Sequence, residues 1–276
     1  MIKRGLSRTT LHIILIIYVI IVVFPLLFVF SSSMKDNTQI FDDPWGLPLT
    51  LNFSNYVDTL TNDHIGNYFF NSLYISVIST LLTLLLSTAI AYAVTRMKFP
   101  TASKGVYGLL LVSILVPPAS LLIPLYIMIS NFGMINTPLA LILPYATFGI
   151  PLTVFVVAAF LKSIPLELEE AGIMDGLTTY GLLFRIVIPL TLPTLVTVFI
   201  LNFIGNWNEY IMAMIFVSDP TLRTMPLAVA SFADKFNMNY GGLTAAISIS
   251  IIPVILIYAF LQKYIIEGVT AGSVKG

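Results

Sequence analysis

The sequence predicts an all-α protein that crosses a membrane six times. Of its 276 residues, 58% are hydrophobic and only 9% are charged, and the mean hydropathy is +0.96. Soluble domains carry about 25% charged residues, so a soluble chain of this composition could not cover its surface with polar groups. The rare charges separate apolar stretches of the length that a bilayer crossing needs, about 20 residues. We expect one transmembrane domain over residues 1–276, which includes a cytoplasmic loop at 162–189.

The first predicted span covers residues 11–30, within a charge-free run that follows Lys3, Arg4 and Arg8. The apolar region of a secretion signal usually has about 7–15 residues, and this run is longer. Three serines at 31–33 are small enough to suggest cleavage. On the length argument, we expect an uncleaved first span.

The second predicted span covers residues 68–94 and ends before Arg96 and Lys98. Residues 105–161 contain no Asp, Glu, Lys or Arg, which leaves room for a third and a fourth span. The turn-rich segment 131–138 should separate these two spans.

The fifth predicted span covers residues 186–208 and could run on to about Val217. The sixth lies within 236–262 and should start near Gly242. Prolines kink membrane helices, but they are also common there, so whether they mark moving parts stays open. The span prolines are Pro25, Pro117, Pro118, Pro124, Pro144, Pro151, Pro189, Pro193 and Pro253.

Charge bias predicts the orientation of the spans. Six spans place both termini on one side, and loops rich in Lys and Arg stay in the cytoplasm. If the N-terminus is cytoplasmic, inner segments hold ten basic residues and outer segments hold three. The inner residues are Lys3, Arg4, Arg8, Arg96, Lys98, Lys104, Lys162, Arg185, Lys263 and Lys275; the outer ones are Lys35, Arg223 and Lys235.

An acidic loop therefore faces the cytoplasm at residues 162–185, where it carries Glu167, Glu169, Glu170, Asp175 and Arg185. The first three favour the positive end of a helix, which Pro165 could begin. Because inner-leaflet lipids are anionic and attract Lys and Arg, docking to a soluble partner is favoured over a helix that rests on lipid.

Turn chemistry predicts how this acidic loop is divided. Gly176 can end the first helix, because glycine accepts left-handed backbone angles. Thr178 or Thr179 can cap a second short helix that runs through Phe184. Pro189 and Pro193 then lie at the start of the next span.

The loop resembles the EAA motif of permease subunits in bacterial ABC importers. That pattern is E-A-A, three residues, G, nine residues, I-x-L-P, and Glu170-Ala171-Gly172, Gly176 and Ile186-Val187-Ile188-Pro189 match its spacing. Gly172 replaces the second alanine and Ile188 replaces the leucine. The resemblance implies that the loop docks into an ATPase subunit with Glu170 as its key acid, and that the ATPase-coupling residues are Glu169, Glu170, Ala171, Gly172, Asp175 and Gly176.

Further segments are similar to the maltose-type sugar permeases, namely residues 207–210 (WNEY), 218–224 (SDPTLRT) and 262–276. The likeness implies the second permease of a carbohydrate importer in the bacterial cytoplasmic membrane, working by alternating access. The implied partners are a homologous permease, two cytoplasmic ATPase subunits and an external sugar-binding protein. The ATPases would bind ATP and magnesium, so no cofactor is expected in this chain.

A polar cluster near the end of the fifth span is the candidate substrate path. Asparagines and aromatic faces suit sugars, and polar groups at membrane depth usually face a cavity. Hydrogen bonding between helices or an interfacial aromatic anchor is the alternative. The cluster consists of Asn202, Asn206, Trp207, Asn208, Glu209 and Tyr210.

Two further segments each allow two interpretations. Residues 233–242 could reach toward the binding protein or serve only as a connector. The tail at 268–276 could contact the ATPase or fray as a terminus.

Other classes of protein find little support in the sequence. An ion-coupled secondary transporter, the alternative function, needs ionisable groups at membrane depth, and five predicted spans carry none. An intramembrane enzyme would need a nucleophile with a base, or metal ligands. Cysteine is absent, and the two histidines, His12 and His64, are predicted on opposite sides of the membrane. No Walker A sequence occurs, no metal site is expected, and the zero net charge gives no sign of nucleic-acid binding.

Overall fold

A computed structural model describes residues 2–48, 50–62, 64–97, 99–233 and 239–273. The side chains of residues 2–7, 233 and 265–273 are not described. Within the described residues all regular structure is helical. Among these described residues five helices are long and apolar enough to cross a membrane, and a bent pair of helices supplies the sixth crossing if it counts as one span.

Thirteen α-helices follow one another along the described residues. They are α1 (Ile2–Ser32), α2 (Asn37–Asp42), α3 (Ser54–Thr61), α4 (Ile65–Arg96), α5 (Pro100–Leu115), α6 (Leu122–Asn131), α7 (Leu139–Leu161), α8 (Glu167–Met174), α9 (Thr179–Leu182), α10 (Ile188–Trp207), α11 (Ile211–Phe216), α12 (Met225–Ala233) and α13 (Tyr240–Ser273). Short 3₁₀-helices cover Pro118–Leu121 and Pro220–Leu222, and a π-helix covers Leu183–Val187.

Contacts group the chain into two compact units. Unit 1 comprises Met1–Asn67 and Ala228–Ile252, and unit 2 comprises Tyr68–Leu227 and Pro253–Gly276. The expectation of one transmembrane domain over residues 1–276 stays a prediction.

In unit 1 a buried lysine organises the segment after α1. Lys35 Nζ donates to the carbonyls of Asp43 at 2.9 Å and Pro44 at 3.4 Å. Asn55 on α3 donates to the carbonyls of Ser33 and Lys35 at 2.9 and 2.8 Å. These bonds hold the segment that follows α1 in place, because buried polar groups must find partners.

Unit 2 is built on a stripe of hydroxyl residues along α4. Spacings of three and four place them on one helix face, and all are buried: Ser72, Ser76, Ser79, Thr80, Thr83, Ser87 and Thr88. Small residues let membrane helices approach closely. Thr83 accordingly donates to the carbonyl of Ala146 on α7 at 3.0 Å, and Ser87 to that of Ile150 at 3.4 Å.

The predicted third span is sharply broken. The helices Pro100–Leu115 and Pro118–Asn131 meet at 95°. Val116 is extended, with ψ 116°, as expected for a residue that precedes proline, and Pro117 and Pro118 cannot continue α5. The break predicted at 131–138 is present as well, since α6 ends at Asn131 and α7 begins at Leu139.

The fifth span also departs from expectation. It does not run on to Val217, because α10 ends at Trp207 and α11 begins at Ile211. Its entry is helical from Thr179 onward, with a π turn over Leu183–Val187, so the second short helix continues past Phe184. Pro189 accounts for this turn, because it cannot donate to the carbonyl of Arg185 and its ring would clash there.

Candidate functional site

The acidic loop forms two helical pieces, as predicted, but its first helix begins later than expected. Leu166 is the N-cap of α8, and its carbonyl accepts from the N–H groups of Glu169 and Glu170 at 2.9 and 3.0 Å. Pro165 therefore lies before the cap and outside the first turn. The acids of that turn lie where a helix favours negative charge.

A left-handed turn at Gly176 ends α8. Gly176 has φ +81°, and its N–H donates to Ile173 O at 2.9 Å, while Leu177 N–H donates to Gly172 O at 3.0 Å. These two bonds form a Schellman motif, which satisfies the last carbonyls of the helix. Thr178 then caps α9 by accepting from the Gly181 N–H, so the prediction of Thr178 or Thr179 is confirmed for Thr178.

Substitution of Gly176 tests this turn. Gly176→Val should destabilise the loop by about 1–2 kcal/mol, because a β-branched residue resists the left-handed conformation, and Gly176→Asn should lose much less. The measurement is protease cleavage within the loop of each variant in detergent. Equal cleavage of Gly176→Val and Gly176→Asn would contradict a φ-controlled turn.

Gly172 is the contact point between the two pieces of the loop. A Cβ atom there would lie 2.6 Å from Ile186 Cδ1 and 2.8 Å from Leu182 Cδ2. Glycine at the position of the second alanine therefore lets α8 pack directly on the helix that leads into α10. The contact links the loop to the span that follows it.

The helix α8 presents its two adjacent acids in opposite ways. Glu170, Ala171 and Asp175 are exposed, whereas Glu169 is only 7% exposed. Successive residues on an α-helix differ by about 100° in direction, so one carboxylate can face the protein while the next faces outward. The coupling roles of both stay predictions.

Glu169 has internal partners that sequence analysis missed. Its Oε1 lies 2.7 Å from Arg96 Nε, and its Oε2 accepts from the Tyr92 hydroxyl at 3.2 Å. Arg96 Nη2 also donates to the carbonyls of Leu161 and Ile164 at 2.6 and 2.8 Å. In the sequence, Arg96 stands out only as a charge that marks orientation, and nothing local ties it to a residue 73 positions away.

The polar cluster of the fifth span is engaged in packing. Asn202 donates to Thr153 Oγ1 at 2.9 Å, and Asn206 donates to Thr80 Oγ1 at 3.2 Å. Trp207 is 1% exposed and stacks on Phe203 with ring centroids 5.8 Å apart. These contacts favour hydrogen bonding between helices for Asn202 and Asn206.

The remaining members of the cluster lie at the break after α10. Glu209 accepts from the Tyr145 hydroxyl at 2.7 Å and from the N–H groups of Met212 and Ala213 at 2.8 and 3.2 Å. It thus caps α11 and ties it to α7. Asn208 is exposed and donates to Ile204 O at 3.0 Å, and Tyr210 is 36% exposed. Whether any of the six contacts substrate stays a prediction.

An apolar cavity of about 430 Å³ lies elsewhere in unit 2, between α6 and α7. Its lining includes Met128, Phe132 and Phe148, with Thr147 as a polar member. A sugar site requires several placed polar groups, so this cavity does not suit a sugar.

Parts of two predicted contact segments lie outside the described residues. In the segment 233–242 these are residues 234–238, and in the tail 268–276 they are residues 274–276. Lys98, Lys235 and Lys275, three of the basic residues that predict the orientation, also lie outside the described residues. Asn239 is described and accepts from Gly242 N–H at 3.0 Å.

Comparison with known proteins gives consistent results. Residues 84–270 match the family described as "Binding-protein-dependent transport system inner membrane component". The probable ABC transporter permease protein YurM of Bacillus subtilis is 37% identical over 99% of this chain and 91% of its own length. The diacetylchitobiose uptake system permease protein NgcG of Streptomyces coelicolor is 32% identical over 96% of this chain and 88% of its own.

Among solved structures, a bacterial ABC transporter involved in the import of the acidic polysaccharide alginate contains a chain with the same fold. The TM-score is 0.84 at 21% identity, over 95% of this chain and 98% of that one.

Proposed function

This chain belongs to the family of binding-protein-dependent transport system inner membrane components, and from that premise we propose that it is the permease subunit of an ATP-driven sugar importer. The substrate class is an oligosaccharide, which the diacetylchitobiose relative and the alginate importer support. The chain acts as a transport subunit, and ATP is hydrolysed by separate partners. Transport proceeds by alternating access.

The observation that carries this proposal is that Glu170 is exposed on α8. Glu170 lies on a short helix whose end is fixed by the Gly176 turn, and its position in the EAA spacing supports our assignment of Glu170 as the acid that contacts the ATPase. A carboxylate held on a rigid helix can form a charge-assisted hydrogen bond with a basic residue of a partner. The loop therefore supplies a docking point for a cytoplasmic ATPase.

The full assembly comprises this chain, a homologous permease, two ATPase subunits and an external sugar-binding protein. The protein lies in the bacterial cytoplasmic membrane with both termini in the cytoplasm, as the ten-to-three bias of basic residues indicates. Closure of the ATPases on ATP moves the docked helices and reorients the spans.

The test is uptake by the reconstituted assembly in liposomes, with labelled diacetylchitobiose and a panel of other oligosaccharides. We expect uptake that requires ATP and the loaded binding protein and that persists when ionophores dissipate ion gradients. Uptake without any ATPase, or its loss with the ion gradient alone, would overturn the proposal in favour of an ion-coupled carrier.

A further inference from the structure

One guanidinium group joins three helices of unit 2 at the acidic loop. Arg96 is the last residue of α4, and its Nε pairs with Glu169 of α8. Its Nη2 donates to Leu161 O, at the end of α7, and to Ile164 O just beyond. The side chains of Arg96 and Glu169 are 8% and 9% exposed, so water does not screen the pair.

Each partner of Arg96 lies where its charge is favoured. The last carbonyls of a helix lack partners within the helix and carry partial negative charge, and Arg96 meets one of them at the end of α7. Glu169 belongs to the first turn of α8, which favours an acid. Only arginine offers five donors in a planar fork, so a single side chain can hold all three groups.

Tyr92 completes the arrangement from one turn earlier on α4. Its hydroxyl donates to Oε2 of Glu169, while Arg96 holds Oε1. Both oxygens of a carboxylate from α8 are therefore bound by α4. We name this set the Arg96 junction: Tyr92, Arg96 and Glu169, with the carbonyls of Leu161 and Ile164.

The junction complements the other contact of α8. Gly172 lets α8 pack on Leu182 and Ile186, ahead of α10, and this apolar contact could slide. Arg96 and Glu169 form a buried ion pair, and to separate its members would leave a buried charge without a partner. Displacement of α8 must therefore carry the ends of α4 and α7 with it.

We propose that the Arg96 junction transmits the displacement of α8 to the spans α4 and α7. Tyr92, Arg96 and Glu169 are positioning residues in this account, and Glu170 is the residue that meets the partner. The inference rests on the proposed function, since it assigns the path by which ATPase closure reaches the membrane.

The first test is Glu169→Gln in the reconstituted assembly, beside Arg96→Gln and the exposed control Glu167→Gln. The readout is sugar imported per ATP hydrolysed, in complexes purified at wild-type subunit ratio. A junction that only aids folding would lower the yield of complex and leave this ratio unchanged. We expect the ratio to fall by about fivefold or more in both junction variants, and to stay at the wild-type value in Glu167→Gln.

A wild-type ratio in either assembled junction variant would overturn the inference while leaving the proposed function intact. Absence of ATP-dependent uptake in the wild-type assembly would instead reject the proposed function.

A second test replaces the ion pair with a covalent link. The chain contains no cysteine, so Arg96→Cys combined with Glu169→Cys provides a unique thiol pair when the partner subunits are also cysteine-free. A short crosslinker with a thiol-reactive group at each end should raise the ratio from its uncoupled value back to at least half of the wild-type one. If crosslinking leaves the amount of sugar imported per ATP at the value of the untreated double-cysteine variant, transmission through this junction is contradicted. This result is decisive even if the charge variants fail to assemble.

Discussion

Glu170→Ala is expected to reduce sugar uptake and the ATPase stimulation by loaded binding protein by about 30-fold or more, because removal of one partner from a hydrogen-bonded charge pair at an interface costs about 2–5 kcal/mol. Glu170 is exposed on α8, so its carboxylate is available to a partner subunit. The measurement is ATP hydrolysis and uptake by the reconstituted assembly. Adding Gly176→Pro should remove what remains, since proline cannot adopt φ +81°.

The matched control is Glu167→Ala, an exposed acid in the first turn of the same helix. It should retain near wild-type uptake, because the resemblance places the ATPase contact at Glu170. A Glu170→Ala complex that assembles normally and transports at the wild-type rate would contradict the assignment of Glu170.

Gly149→Ala should lower the free energy of unfolding by about 1–3 kcal/mol, the usual cost of forcing extra volume into a packed interior. A Cβ atom at residue 149 would run into Asn202 Oδ1 and lie 2.8 Å from Thr83 Cγ2. Asn202 cannot simply turn away, because it donates to Thr153 Oγ1 and Val198 O. Thermal unfolding of the purified chain in detergent measures the effect.

The control for this substitution is Gly205→Ala on α10, where an added Cβ atom meets nothing within 4 Å. Alanine there should be neutral or stabilising by up to about 1 kcal/mol, since glycine weakens helices. A stability loss equal to that of Gly149→Ala would show that the close approach of α4, α7 and α10 is not the cause.

The spans and the turn of the loop follow from local patterns, and so the sequence predicts them. Runs without charge locate α4 and α7 to within a few residues, and Gly176 with Thr178 marks the turn between the two pieces of the loop. These features depend on hydrophobic length and on single-residue conformations, which neighbours in space change little.

The breaks within spans were predicted less well. Prolines at 117 and 118 were recognised as kinks, but their effect is a 95° turn. The end of α10 at Trp207 depends on the carboxylate of Glu209, which takes up the N–H groups of Met212 and Ala213. Mean hydropathy does not register such a side-chain bond, so the pattern allowed one continuous helix.

The Arg96 junction could not be predicted at all. Tyr92 and Glu169 are 77 residues apart in the chain, and a single sequence does not show which distant residues meet in space. The hydrogen-bond partners of Asn202 and Asn206 could not be predicted for the same reason. Their polarity suggested a substrate path, but their partners, Thr153 and Thr80, lie on other helices.

The hydroxyl stripe of α4 has a consequence for how the protein is made. A polar group that enters lipid without a partner costs several kcal/mol, yet Ser79 donates to the carbonyl four residues earlier on its own helix at 2.6 Å. The Thr83 hydroxyl lies 2.9 Å from Ser79 O as well as 3.0 Å from Ala146 O, so its one proton has an acceptor on its own helix before α7 docks. We therefore expect α4 to leave the insertion machinery and reside in lipid as an independent helix. Later helices such as α7 and α10 then dock on a surface of α4 where Ser79 and Thr83 already have hydrogen-bond acceptors in the backbone of their own helix.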